Sequence, residues 1–214
     1  MPPLPDIATD TPLWLALITV AVNAVVGALL GYLDDAAHWD VVGVTVFALL
    51  MGLGGGFIRD TLLGRLPPQS LRSPWSLVTV LAAAALVLVI GPLIPRIQRT
   101  MSLLNAVALG LFAVSGAAAA RATGLPAISG VLIGTASAVG GGVMVAVLQN
   151  RVATILLAST PHALLAILAA TVYLLIPGNP TVAALGGVLA VVVAQLVVDR
   201  WQITTPPARR RPTS

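Results

Sequence analysis

Gly52-Leu53-Gly54-Gly55-Gly56-Phe57-Ile58-Arg59-Asp60 sets three consecutive glycines and an ionisable pair inside an apolar run spanning about residues 41–64. The triplet returns 86 residues later as Gly140-Gly141-Gly142, inside a second apolar run at about 127–149. Keeping that shift, residues 75–91 fall on 161–177 without a gap, and 39–53 fall on 125–139. A third pair of runs, about 13–31 and 103–120, aligns a few residues out of step, and a seventh run at about 182–199 has no counterpart.

Each run is close to the roughly 20 apolar residues that an α-helix needs to cross a bilayer, and too long for barrel strands. Turn residues separate the runs: Asp34-Asp35 and His38, Pro67-Pro68, Pro92 and Pro95, residues 121–126, Asn150-Arg151, and Pro177-Gly178-Asn179-Pro180. The expected fold is all-α and integral to the membrane, with seven helices in one transmembrane domain. Repeat 1 covers about 13–91, repeat 2 about 103–177 and the seventh helix about 182–199, followed by a flexible basic tail over 200–214. Three crossings per repeat is an odd number, so the second unit enters from the opposite side. That inverted plan is common among proteins that move solutes.

Composition agrees. Of 214 residues, 58% are hydrophobic and 8% charged, against roughly 25% charged in a soluble domain. Mean hydropathy is +1.02. The net charge of +4 does not mark a nucleic-acid binder, because the eleven cations, all Arg, are scattered between apolar runs. Only Arg209-Arg210-Arg211 cluster, as a cytoplasmic end touching anionic lipid would. Four arginines (59, 65, 72, 121) fall on the N-terminal side of the bundle and seven (96, 99, 151, 200, 209, 210, 211) on the other. The bias places the N-terminus outside and the C-terminus in the cytoplasm. Asp6 and Asp10 precede the first run without any basic residue, so that run is not a cleavable signal. The absence of Cys excludes disulfides and thiolate chemistry. No H-E-x-x-H, Walker loop or hydrolytic arrangement occurs, and no enzyme is expected.

A glycine triplet costs a membrane helix roughly 2–3 kcal/mol relative to alanine. One use of such a weak point is to kink or unwind, baring carbonyls in a water-lined cavity as a desolvating cation requires. The other is close packing of helices, the reading that suffices for Gly27/Gly31 and Gly130/Gly134. Two triplets in register across the repeat favour the functional break. Arg59 and Asp60, roughly 5–8 Å beyond the first triplet, lie between midplane and interface, where an ionisable pair is a functional candidate. As sequence neighbours they face apart, so their partners are expected on other helices. Ser115, Thr135 and Ser137 are pore candidates, weighed against hydroxyls bonded to their own helix. Asn23, Asn105 and Ser129 are further polar residues of the runs, while His162 and Tyr173 fit packing or interface roles.

The segment 52–60 with Leu62-Leu63-Gly64 and Pro67, the segment 110–117 (Gly-Leu-Phe-Ala-Val-Ser-Gly-Ala), and 138–143 (Ala-Val-Gly-Gly-Gly-Val) together resemble the prokaryotic trimeric intracellular cation (TRIC) channel family. The resemblance runs to about residue 200. It implies a homotrimer in the inner (plasma) membrane, with a potassium-permeable pore in each protomer and the second and fifth helices bent at Gly54–Gly56 and Gly140–Gly142. Backbone carbonyls there would meet potassium; no cofactor is implied beyond bound lipid. Relatives often repeat Arg-Asp after the second triplet, where this chain has Val145 and Ala146, so one half of the pathway lacks the ion pair and asymmetric conduction is expected. Ala119 stands where relatives often carry a basic residue, which removes the cation through which voltage would act. The leading reading is a monovalent cation channel. Its rivals are a secondary transporter of a small solute such as glycine, and a lipid-binding or assembly protein.

Overall fold

The structure is a computed structural model that describes residues 13–91, 98–153 and 161–205. Its elements are α1 (Leu13–Tyr32), α2 (Val41–Leu62), α3 (Gln69–Arg72), α4 (Pro74–Ile90), α5 (Gln98–Ala122), α6 (Ala127–Leu148), α7 (His162–Leu175) and α8 (Pro180–Trp201). All but the four-residue α3 are the expected membrane helices. Their ends follow local chemistry. The Asp40 carboxylate caps α2 by accepting from the Gly43 N–H at 2.7 Å. Pro74 and Pro180 open α4 and α8 where no amide partner is needed, and Gly124, at φ 73°, lets the chain leave α5. From residue 206 onward the basic tail lies outside the described residues, as does Arg96.

The two halves pack alike. α1 packs on α2 and α4 as α5 packs on α6 and α7, α2 touches α4 as α6 touches α7, and α8 lies against α5 and α7. α2 and α6 have 22 residues each and keep the 86-residue shift at both ends. The slippage of the first pair has a structural cause. A methyl added at Gly27 would collide with the Phe47 carbonyl, and one at Gly116 would fall 2.9 Å from the Ile133 carbonyl oxygen. Phe47 and Ile133 obey the 86-residue shift, whereas Gly27 and Gly116 are three residues out of it. α5 has therefore slid by about one turn relative to α1.

Successive membrane helices run in opposite directions. The starts of α1, α4, α6 and α8 share one face, called here the N face; the ends of α1, α6 and α8 share the other, the C face. One apolar cluster lies within each half, and a third (Val26, Phe47, Met51, Ala108, Val145) joins them through α1, α2, α5 and α6. Large side chains such as Val89, Ile128, Leu132 and Leu175 project outward, as in a bundle whose solvent is lipid.

Candidate functional site

The glycine triplets meet where α2 crosses α6, and they do so as packing surfaces. The expected break is not found: α2 and α6 remain helical through Gly54–Gly56 and Gly140–Gly142. A methyl at Gly55 would land on the Ser137 carbonyl oxygen. One at Gly54 would stand 3.4 Å from the Gly141 Cα, and one at Gly141 would stand 3.1 Å from both the Leu50 carbonyl and the Met51 Cα. Missing side chains let two backbones approach, and that contact offsets the propensity lost to glycine. The Gly55 carbonyl is not bare, because the fully buried Ser137 hydroxyl donates to it at 3.1 Å. Gly56 and Gly142 face open space instead. Each borders a cavity, on opposite sides of the crossing.

On the N-face side the cavity is small, about 50 Å³, with room for one or two water molecules at about 30 Å³ each. Gly56, Arg59, Gln69, Ser70, Phe112 and Ser115 are among its walls. Arg59 and Asp60 are buried at 8% and 1% exposure. Contrary to the expectation that they face apart, Arg59 Nε donates to Asp60 Oδ1 at 2.8 Å. The long Arg side chain folds back along the last turn of α2, which backbone spacing alone does not reveal. Its Nη1 also donates to Ser115 Oγ on α5 at 2.7 Å, so the expected inter-helix partner exists too. The Gln69 N–H, at the start of α3, donates to Asp60 Oδ2 at 2.8 Å. Both charges are thus paired and hydrogen-bonded, the condition for keeping them at membrane depth.

The mirror position is apolar on both sides of the contact. The shift of the second helices carries Arg59 to Val145, and that of the first helices carries Ser115 back to Val26; Val26 and Val145 belong to one apolar cluster. This half has replaced the whole polar contact, guanidinium and hydroxyl together. At Ala119, where the resemblance implies a basic residue, the backbone carbonyl accepts from Arg65 Nη2 at 3.3 Å. A guanidinium of the α2–α3 connection therefore reaches that place from another element.

The C-face side is wide. Two adjoining cavities of about 520 Å³ each share Leu30, Met101, Asn105 and His162 in their walls. One reaches Met51, Ala138 and Gly142 at the crossing, and the other runs toward α8. Asp34 clasps the mouth by accepting from Trp39 Nε1 at 2.9 Å, Gln149 Nε2 at 3.1 Å and Arg151 Nη2 at 2.8 Å. The Trp39 hydrogen bond first, then Arg151, hold its carboxyl at about 2, below the ordinary 3.8, against the opposing effect of burial.

Of the sequence candidates, Gly54, Gly55, Ser137 and Gly141 form the crossing. Gly56, Arg59, Asp60 and Ser115 gather at the N-face cavity, and Gly142 borders the C-face space. Gly140 is packed against Ile58. Thr135 stays apart, its hydroxyl donating to the Val131 carbonyl of its own helix at 2.8 Å. Tyr173 is buried under Arg121, with the guanidinium 4.7 Å from the ring centre, which fits the packing role. His162, read as a packing or interface residue, opens α7 and lines both C-face cavities. Gln69 and Asp34 are site residues that hydropathy does not single out.

Cavities on both sides of a glycine crossing, within an inverted-repeat bundle of apolar helices, define a multi-pass membrane protein. The chain belongs to the prokaryotic TRIC channel family: a family profile described as "Glycine transporter" matches residues 13–92 and 102–177, and solved TRIC channels share its fold. A TRIC orthologue from Rhodobacter sphaeroides superposes with a TM-score of 0.80 at 27% identity, over 89% of this chain and 98% of that one. A prokaryotic TRIC channel crystallised in 0.5 M KCl gives 0.79 at 26% identity, over 88% and 95%. Among curated proteins, a UPF0126 membrane protein of Deinococcus radiodurans is 38% identical over 202 residues, 93% of this chain and 92% of its own. The UPF0126 inner membrane protein YadS of Escherichia coli K12 is 28% identical over 197 residues, 90% and 94%.

Proposed function

We propose that the protein is a passive monovalent cation channel, permeable to potassium, with one path in each protomer of a homotrimer. The observation that carries the reading is the pair of cavities that approach the α2/α6 crossing from opposite faces, at Gly56 and at Gly142. The path is closed in this state, since Gly55 and Ser137 touch between them. Opening requires α2 and α6 to part at the crossing, which uncovers the Gly55 carbonyl and the Ser137 hydroxyl together as ligands for a passing cation. The likeness to solved TRIC cation channels supports the ion class and the trimer. The arginine bias supports an inner-membrane orientation with the N-terminus outside and the C face in the cytoplasm.

The second reading is a secondary transporter of a small solute such as glycine. It is favoured by the description of the matching family and by an occluded state with space on both faces, which suits alternating access. Proteoliposomes loaded for potassium flux and for radiolabelled glycine uptake separate the two. The channel reading expects non-saturating potassium flux and no glycine counterflow. Saturable, counterflow-competent glycine uptake without potassium flux would replace it with the carrier.

A further inference from the structure

The seventh helix, α8, lies outside both repeats, yet it brings a carboxylate to the C-face space. Asp199, in its last turn, lines the cavity of about 520 Å³ that also touches Asn105 and His162. Ser102 Oγ on α5 donates to Asp199 Oδ2 at 2.6 Å. The Gln195 amide, 3% exposed, donates to Asp199 Oδ1 at 2.7 Å and to Ser102 Oγ at 2.9 Å. Every donor in this relay is neutral. Two other carboxylates differ in having a cation beside them: Asp60 is matched by Arg59 and Asp34 by Arg151. Among the described residues no guanidinium comes within salt-bridge distance of Asp199, and Arg200, next in sequence, is exposed and absent from the cavity wall. A neutral relay of this kind fixes the carboxylate in place without cancelling its charge, and a charge on low-dielectric walls concentrates counter-ions beside it.

We propose that Asp199, held by Ser102 and Gln195, is a loading site for hydrated monovalent cations at the C-face mouth of the path. The assignment rests on the channel reading and adds where charge is selected. At about 30 Å³ per water molecule, about 520 Å³ holds a cation with its hydration shell, so no dehydrating cage is formed. The site therefore sorts cations from anions and does not sort potassium from sodium. Because α8 belongs to neither repeat, the repeat symmetry supplies no counterpart of Asp199 on the N face, and the loading acts from the C face.

The test is unitary conductance of the full-length protein in bilayers of neutral phosphatidylcholine, which lack a surface potential of their own. Asp199→Asn keeps an acceptor for the relay and removes the charge. It is expected to lower potassium conductance about two- to fivefold at 20 mM salt and to leave it within about a fifth of wild type at 1 M, where the screening length falls to about 3 Å. Its selectivity for potassium over chloride falls, its potassium-to-sodium ratio stays, and Asp199→Glu restores wild-type behaviour. Gln202→Glu, which adds a charge to the same cavity wall, raises low-salt conductance by a similar factor and gives a reading should Asp199→Asn fail to fold. Wild-type conductance at low salt in Asp199→Asn, an equal loss at both salts, or no gain in Gln202→Glu would overturn the assignment. A silent wild-type protein would overturn the channel reading itself, and this assignment with it.

Discussion

Arg59 sits where a charge is tolerated only with company, and it has three partners: Asp60, Ser115 and, at a longer 3.5 Å, the Gln69 side chain. Arg59→Ala leaves the Asp60 carboxylate buried without a cation. A loss of about 3–5 kcal/mol is expected, read by chemical unfolding in detergent. The mirror half shows how the same place folds without charge. Arg59→Val, Asp60→Ala and Ser115→Val together copy Val145, Ala146 and Val26, and this triple variant is expected to be more stable than Arg59→Ala alone. Equal or lower stability of the triple variant would contradict the mirrored accounting. The depth of Arg59 was legible because it follows a glycine triplet inside an apolar run. Its bond to Asp60 was not, because backbone spacing says nothing of how a long side chain curls. Gln69 was hidden for another reason: a four-residue helix has no period to detect. Asp199 resembles any polar residue closing a membrane run until Ser102, 97 positions earlier, is brought beside it.

At the scale of the element, α2 and α6 are the pair on which the account turns. Their boundaries, and their common shift, could be read from hydropathy and the triplets alone. Whether the triplets break the helices or join them could not, since the same residues serve both ends and the deciding contact, Gly55 against the Ser137 carbonyl, is non-local. Two neighbouring glycines should therefore respond oppositely to a methyl. Gly55→Ala must push the helices apart and is expected to cost about 1–3 kcal/mol. Gly56→Ala meets open space and gains up to about 1 kcal/mol of helix propensity. Thermal unfolding of the two variants in one detergent checks the contrast, and similar shifts in both would count against close packing at the crossing.

Across the whole molecule, the two faces are unlike: a small chamber at Arg59 on one, a wide mouth bordered by the Asp34 clasp on the other. Asp34 has its carboxyl lowered from 3.8 to about 2, so the clasp stabilises the fold fully above the unfolded value and loses that contribution as pH falls toward 2. Asp34→Asn is expected to lower Tm at pH 7, with the gap from wild type closing between pH 4 and pH 2; a gap unchanged at pH 2 would rule out the charge. The inverted plan was visible in the sequence because both triplets and the proline-bounded runs keep one shift. The unequal faces were foreshadowed only by Val145 and Ala146, since cavities arise from helices distant in the chain. The most direct test of the path uses the absence of native cysteine. A Cβ at Gly56 or at Gly142 meets open space on either side of the crossing, so Gly56→Cys and Gly142→Cys fit without displacing a neighbour. Recorded in a bilayer, each variant should carry cation-selective current, lose it on modification by a cationic methanethiosulfonate reagent and recover it on reduction. Current that persists through complete modification of both would place the path away from the crossing and contradict the account.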